Sequence, residues 1–189
     1  MHKYLKIFFI IVTIGTIAEI INTIIRNLGM PNGISMNAYT LLNCLIFIFL
    51  FKETKTFSFK LIKILLLIFA IGSIYFMYLI GRINEMNSHL VVFTNFILML
   101  LSAATLIKMT NGDLDDLFSH PMFWISANLL MFSTASNIVY SLFPNSLFYS
   151  NNEFYNQIWD VHGVLNIIYN LLLAYVFICH LRIPSFTQS

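Results

Sequence analysis

Six long hydrophobic runs alternate with short polar segments along the chain. The runs lie at about 5–25, 34–51, 61–81, 88–107, 121–143 and 157–181. A helix needs roughly 20 apolar residues to cross the hydrocarbon core of a bilayer, and each run is close to that length. The pattern therefore predicts an all-α polytopic membrane protein, a bundle of six transmembrane helices. We expect residues 1–183 to form this single transmembrane domain and residues 184–189 to form a short C-terminal tail.

The composition indicates that lipid is the solvent of this chain. Of its 189 residues, 59% are hydrophobic and only 10% are charged, whereas a soluble domain has about 25% charged residues. The net charge of +2 is too small to indicate a nucleic-acid partner. Both cysteines, Cys44 and Cys179, fall inside predicted spans, so they indicate neither a disulfide framework nor a metal site. We expect no cofactor.

The distribution of basic residues predicts the orientation of the six spans. If the N-terminus is cytoplasmic, two of the ten basic residues, Arg26 and Arg82, lie outside. The other eight lie inside, namely Lys3, Lys6, Lys52, Lys55, Lys60, Lys63, Lys108 and Arg182. Because cytoplasmic loops carry an excess of Lys and Arg, we expect both termini in the cytoplasm. An alternative role for the lysines between the second and third spans is to lie among anionic headgroups at the membrane surface.

Polar residues inside the spans concentrate towards the predicted outer side. The outer halves or middles of the spans contain Glu19, Asn22, Asn43, Asn95, Asn137, His162 and Asn166. A strongly polar group inside a membrane is costly and usually faces the bundle interior or a water-filled cavity. We therefore predict a polar pocket that is open to the extracytoplasmic side and lined by these seven residues.

Glu19 and His162 are ionisable residues at similar depth in the predicted pocket. A Glu–His pair can exchange a proton or hold a cationic ligand. The alternative is a structural pair that holds the bundle together. His162 shares one helix face with Asn166 and Tyr169, because the spacings are four and three residues. Asp160 points to another side, and we expect it to cap the entrance of the last span.

No motif in the chain indicates a particular enzyme. There is no G-x-S-x-G elbow, no H-E-x-x-H pair, no P-loop and no G-x-G-x-x-G. The five histidines are scattered, and no two have metal-ligand spacing on one helix. Asp113, Asp115 and Asp116 lack the glycine and glutamate of a calcium loop, so a solvated loop is the preferred interpretation. We assign no catalytic residue, and an intramembrane enzyme that acts on a lipid is a less favoured alternative.

Two segments of the chain carry a resemblance to known proteins. SHPMFWIS, from Ser119 to Ser126, begins the fifth run, and HGVLNIIYN, from His162 to Asn170, lies in the sixth. The S-x-P-x-F-W-I entry and the His- and Asn-bearing final span resemble those of small multi-spanning bacterial inner-membrane proteins of unknown function. Such proteins often have one more N-terminal span. The resemblance implies an all-helical protein of a bacterial cytoplasmic membrane, in a group associated with signalling systems.

Two functions of the predicted pocket remain open at this point. In the first, the pocket binds a small molecule or a lipid headgroup, and the bundle passes the change to a membrane-protein partner or to another copy of the chain. In the second, Glu19 and His162 serve a small proton-coupled transporter. Six short spans without an internal proline are sparse for alternating access, so we prefer a sensing or accessory module.

Overall fold

The computed structural model describes residues 3–30, 32–80, 86–111, 117–142 and 152–182. Every regular element within these ranges is helical, which confirms the predicted all-α class. The α-helices are α1 (Lys3–Asn27), α2 (Gly33–Glu53), α3 (Phe59–Ile74), α4 (Ser88–Thr110), α5 (Pro121–Leu142) and α6 (Asn152–Arg182). A π-helical segment, Tyr75–Ile80, continues α3, and a 3-10 turn, Leu117–Ser119, precedes α5.

Five of the described helices are long and apolar enough to cross a membrane. The apolar stretches are Lys6–Ile25, Gly33–Glu53, Phe59–Tyr78, Ser88–Thr110 and Pro121–Leu142. The apolar stretch described within α6 is shorter, from Asp160 to Val176. Large apolar side chains are exposed along these helices, such as Ile20 and Ile24 of α1 and Leu171 of α6. Because such surfaces suit hydrocarbon rather than water, the helices are those of a membrane protein.

Two helices differ from the predicted spans. The sequence predicted one uninterrupted helix to residue 81, but the helix widens to a π-helix at Tyr75–Ile80. This segment contains neither proline nor glycine, so the sequence gives no sign of the change. The last helix begins at Asn152, five residues before the predicted start. Asp160 therefore lies more than two turns inside α6, and the prediction that it caps the helix entrance is wrong.

The chain divides into two compact units, Met1–Leu98 and Met99–Ser189, and α4 runs through the division. In the first unit, α1 and α2 form a hairpin. The Met30 amide donates to the Ile25 carbonyl at 3.1 Å, and Gly29 has a φ of 69°. This is the geometry of a Schellman cap, in which glycine adopts the left-handed conformation without the steric cost of a Cβ. The cap ends α1 and lets the chain return along it as α2.

A tight turn over residues 54–58 joins α2 to α3. Thr54 Oγ1 donates to the Phe51 carbonyl at 2.7 Å. Ser58 caps α3, because its Oγ accepts a hydrogen bond at 3.3 Å from an amide in the first turn of that helix. The Phe57 ring meets the buried Phe51 ring edge-on, with 6.2 Å between the centroids. Hydrogen bonds and aromatic packing therefore hold a turn that contains neither proline nor glycine.

Asn87 joins three segments of the first unit. Its backbone amide donates to Asn37 Oδ1 of α2 at 3.0 Å, and its Nδ2 donates to the Phe76 carbonyl of the π-helical segment at 2.6 Å. Its Oδ1 accepts from the Leu90 amide at 3.0 Å and so caps α4. Asn37 and Asn87 are both buried. Because hydrocarbon offers no hydrogen-bond partners, these contacts hold α2, the π-helical segment and the start of α4 together.

In the second unit, α5 and α6 form an antiparallel pair. The His120 Nδ1 atom accepts from the Met122 amide at 3.2 Å and caps the start of α5. Near the middle of α5, Asn128 Nδ2 donates to the Tyr169 carbonyl at 2.9 Å. Further along α5, Tyr140 lies beside His162, which comes earlier in α6. Residues later in α5 thus contact residues earlier in α6, as expected for antiparallel helices.

Candidate functional site

The seven predicted pocket residues are divided between the two units. Glu19, Asn22, Asn43 and Asn95 belong to the first unit, and Asn137, His162 and Asn166 belong to the second. Glu19 is exposed, and the other six are half-buried. The pairing of Glu19 with His162 stays a prediction.

Polar contacts between α1 and α2 surround Glu19 and Asn22. Ser35 Oγ donates to Asn22 Oδ1 at 2.6 Å. The Glu19 carboxylate, one turn earlier in α1, interacts electrostatically with Tyr39. One further turn back, a Cβ added to Gly15 would lie 3.3 Å from Tyr39 Oη. Small and polar side chains of this kind let membrane helices approach closely, so Asn22 has a structural role in the hairpin.

Asn43 and Asn95 lie at a similar level of the first unit. Each adjoins a buried residue, and these two neighbours meet: Cys44 Sγ lies 3.8 Å from the Thr94 carbonyl. The contact joins α2 to the first part of α4 at the depth of the two asparagines. Both asparagine side chains remain half-buried, so they border this helix contact rather than form its centre.

His162 lies in an aromatic cluster between α5 and α6. The Tyr140 hydroxyl lies 3.4 Å from His162 Nε2, at the long end of the hydrogen-bonding range, and the two rings meet edge-on. The Phe132 centroid lies 6.0 Å from that of the imidazole, and the Phe132 ring stacks on Tyr169 with 4.3 Å between centroids. These contacts hold the imidazole in place beside a phenol, and both groups can donate or accept a hydrogen bond.

Several buried oxygen atoms of α5 have no hydrogen-bond partner among the described residues. They are the Oγ atoms of Ser126, Ser133 and Ser136 and the Oδ1 atoms of Asn128 and Asn137. Thr134 of the same helix is exposed, and it shows the usual alternative, because its Oγ1 donates to the Leu130 carbonyl at 2.7 Å. The buried serines make no such bond. The hydrogen-bonding capacity of these hydroxyls is therefore unused among the described residues.

Three of these α5 residues share a helix face with Tyr140, which contacts His162. Ser133, Ser136, Asn137 and Tyr140 follow one another at three, one and three residues, which places them on one face of α5. Tyr140 of this face contacts His162. We call these five residues the α5–α6 polar cluster. Its hydroxyl, amide and imidazole groups offer both donors and acceptors, so they can bind a ligand that carries hydroxyl or amide groups.

Asn166 lies outside the α5–α6 polar cluster. The Asn166 carbonyl accepts from Asn170 Nδ2 at 2.9 Å, and Asn166 Oδ1 lies 3.4 Å from the same nitrogen. Both oxygens of Asn166 thus face the side chain of Asn170, an exposed residue one turn later in the same helix. Sequence reasoning selected Asn137 and His162 for the pocket but did not select Ser133, Ser136 or Tyr140. The signal that could have found Ser133 and Tyr140 is their spacing of four and three residues from Asn137, and Ser136 directly precedes Asn137.

The described residues give no indication of a metal site. Within the described ranges, no three side chains of His, Cys, Asp or Glu come close enough together to hold a metal ion. The aspartates Asp113, Asp115 and Asp116 lie outside the described residues.

No family model, no curated protein and no solved structure matches this chain. Its resemblance to small bacterial inner-membrane proteins stays an expectation.

Proposed function

We propose that the protein spans a bacterial cytoplasmic membrane six times, with both termini in the cytoplasm, and binds a small polar ligand at the α5–α6 polar cluster. In this role it is a sensing or accessory module that acts through a membrane partner or another copy of itself. The observation that carries the proposal is the set of buried oxygens on Ser133, Ser136 and Asn137 that have no partner among the described residues.

Leaving these oxygens without a hydrogen bond costs free energy. A buried polar group without a hydrogen bond costs about 1–3 kcal/mol, and hydrocarbon supplies no partner. Ser133 and Ser136 are almost completely buried, at 0% and 1% exposure. A ligand or water at this position would supply hydrogen bonds to both hydroxyls and to Asn137 Oδ1. Since serine and asparagine are uncharged, the ligand class that fits is a neutral molecule with hydroxyl or amide groups.

The position of the cluster supports access from the extracytoplasmic side. With the N-terminus in the cytoplasm, α5 runs outward, so Ser133–Tyr140 lies in its outer half. The sixth span runs inward, which places His162 at a similar depth. The half-buried imidazole and the phenol of Tyr140 then lie nearer the aqueous boundary than the serines do. A ligand from outside would meet these two rings before it reached the buried oxygens.

Removal of the buried oxygens should abolish ligand binding. We expect wild-type protein, purified in detergent, to retain a small molecule in native mass spectrometry. The variant Ser133→Ala/Ser136→Ala/Asn137→Leu should lose that mass, because it keeps the shape of the site but removes its hydrogen-bonding groups. Thr134→Val is the matched control, since Thr134 lies on the same helix but is exposed and bonded to its own backbone. It should retain the mass.

The opposite result has a clear meaning. If the wild type carries no additional mass and the triple variant melts at a higher temperature, the three oxygens are dry packing positions. Replacing unpartnered polar groups by apolar ones of similar shape is then stabilising, and the binding proposal is wrong.

Reporter fusions should reveal the proposed orientation. Alkaline phosphatase fused after Arg182 should be inactive, because that end is expected in the cytoplasm, whereas a fusion after Leu142 should be active. Green fluorescent protein at the same two positions should show the reverse pattern. An active phosphatase after Arg182 would contradict the cytoplasmic C-terminus, and equal activity at both positions would contradict a sixth span.

A further inference from the structure

The turn between α2 and α3 brings several lysines together at one membrane boundary. The segment from Lys52 to Lys63 contains four lysines and one glutamate. It lies where two of the five apolar helices meet, because one ends at Glu53 and the next begins at Phe59. Lys55, Lys60 and Lys63 are exposed. This positive charge therefore lies beside the headgroup layer of whichever leaflet the turn faces.

Two of the lysines share one aromatic ring. Lys63 Nζ lies 4.5 Å from the centroid of the Phe59 ring, and Lys52 Nζ lies 5.7 Å from the same centroid. Lys52 Nζ also lies 5.7 Å from the Phe49 centroid. The ring faces attract the ammonium groups and so fix their positions. Two like charges beside one ring repel each other, and an anion that contacts both would relieve this repulsion.

The surroundings of these two ammonium groups favour a lipid over a free anion. Phe59 is 60% exposed and Phe49 is 39% exposed, so the charges lie next to apolar surface that suits acyl chains. The turn itself is held by the Ser58 cap and the packing of Phe57 on Phe51. The lysines are thus presented on a defined scaffold.

We propose that Lys52, Lys63 and the ring of Phe59 form a binding site for the phosphate headgroup of an anionic phospholipid. The two ammonium groups contact the phosphate oxygens, and the exposed rings contact the glycerol and the upper acyl chains. This site is independent of the ligand proposed for α5 and α6. Its occupant belongs to the membrane itself, and it would anchor the α2–α3 turn at the bilayer surface.

Binding of phosphatidylglycerol can be compared with binding of phosphatidylcholine that has the same acyl chains. We expect native mass spectrometry of the full chain, titrated with each lipid, to show tighter binding of phosphatidylglycerol. The variant Lys52→Gln/Lys63→Gln should bind phosphatidylglycerol about 25-fold more weakly, because each lysine near an anionic surface contributes roughly a factor of five. Its binding of phosphatidylcholine should be unchanged.

The matched control removes the same charge from the same segment. Lys55→Gln/Lys60→Gln takes away two exposed lysines for which no ring contact is described, and we expect a loss below about threefold. Equal losses in the two double variants would overturn the proposal, since they would indicate a diffuse electrostatic effect. If inorganic phosphate competes with phosphatidylglycerol at equal concentration, the site recognises a free anion and the lipid assignment is wrong. The melting temperature of each variant, measured without lipid, verifies that these surface substitutions leave the fold intact.

Discussion

Replacing Asn87 by alanine should be among the most destabilising single changes in the first unit. The substitution removes the N-cap of α4, which is worth about 0.5–2 kcal/mol. It also leaves the carbonyl of the half-buried Phe76 without its donor, which costs a further 1–3 kcal/mol or so. The bond from the Leu90 amide has an ordinary length of 3.0 Å, and the bond to the Phe76 carbonyl is short at 2.6 Å. We expect the free energy of unfolding to fall by about 2–4 kcal/mol.

Two further variants separate the cap from the contact with the π-helical segment. Asn87→Ser keeps a capping oxygen but cannot reach Phe76, so it should recover about 1 kcal/mol of the loss. Ser58→Ala removes a cap from α3 at an exposed position where no second bond depends on the side chain. It should cost only about 1 kcal/mol.

Unfolding in mixed detergent micelles, followed by circular dichroism, provides these free energies. Equal losses for Asn87→Ala and Ser58→Ala would show that the bond to Phe76 contributes nothing. The π-helical segment would then have to be maintained by other contacts.

Replacing Gly72 by alanine should also destabilise the first unit, by about 1–3 kcal/mol. A Cβ at this position would lie only 2.2 Å from Cζ of Phe93. The Phe93 ring of α4 rests directly on the glycine of α3, and it also packs at 5.2 Å between centroids against Phe76. The new methyl group must displace the ring, which disturbs its contact with the π-helical segment.

Gly163 is a matched control for this substitution. It also lies inside a helix, but nothing lies within 4 Å of a Cβ added there. Gly163→Ala should be neutral or slightly stabilising, because alanine is the better helix former by up to about 1 kcal/mol. The same unfolding measurement applies to both variants.

A double-mutant cycle can attribute the effect of Gly72→Ala to the ring. Phe93→Ala removes the group that the new methyl meets, so Gly72→Ala should cost little in that background. A coupling energy of about 1 kcal/mol or more is expected for residues in direct contact. Additive effects would indicate that the methyl group is accommodated without moving Phe93. That result would contradict the close contact between Gly72 and the Phe93 ring.

Most of the helical architecture was predictable from the sequence, because each helix carries its own signal. The hydrophobic runs predicted at about 34–51, 88–107 and 121–143 differ by at most three residues at either end from the helices Gly33–Glu53, Ser88–Thr110 and Pro121–Leu142. A run of apolar residues long enough to span a bilayer must satisfy its backbone hydrogen bonds internally, and the helix does so locally. The local rule fails at Tyr75–Ile80, where the donor that contacts Phe76 comes from Asn87, eleven residues away.

The candidate site was predictable only in part. The sequence shows that Asn137 and His162 are polar groups inside apolar runs, which makes them candidates without any knowledge of their neighbours. It does not show that Tyr140 meets His162 or that Phe132 and Tyr169 stack beside them. Nor does it show that Thr134 bonds to its own backbone while Ser133 and Ser136, on the same helix, do not.

The sequence by itself thus determined the class of protein and the bounds of most helices, since hydrophobicity and helix length are properties of a continuous segment. It also determined which residues would be costly to bury. Only the tertiary structure decided which of them have partners. Asn22 bonds to Ser35, and Asn87 bonds to Phe76. The buried side-chain oxygens of Ser133, Ser136 and Asn137 have no hydrogen-bond partner among the described residues. The physical reason is that a hydrogen bond between helices depends on the rotation and depth at which they pack, and these are set by side chains far apart in the chain.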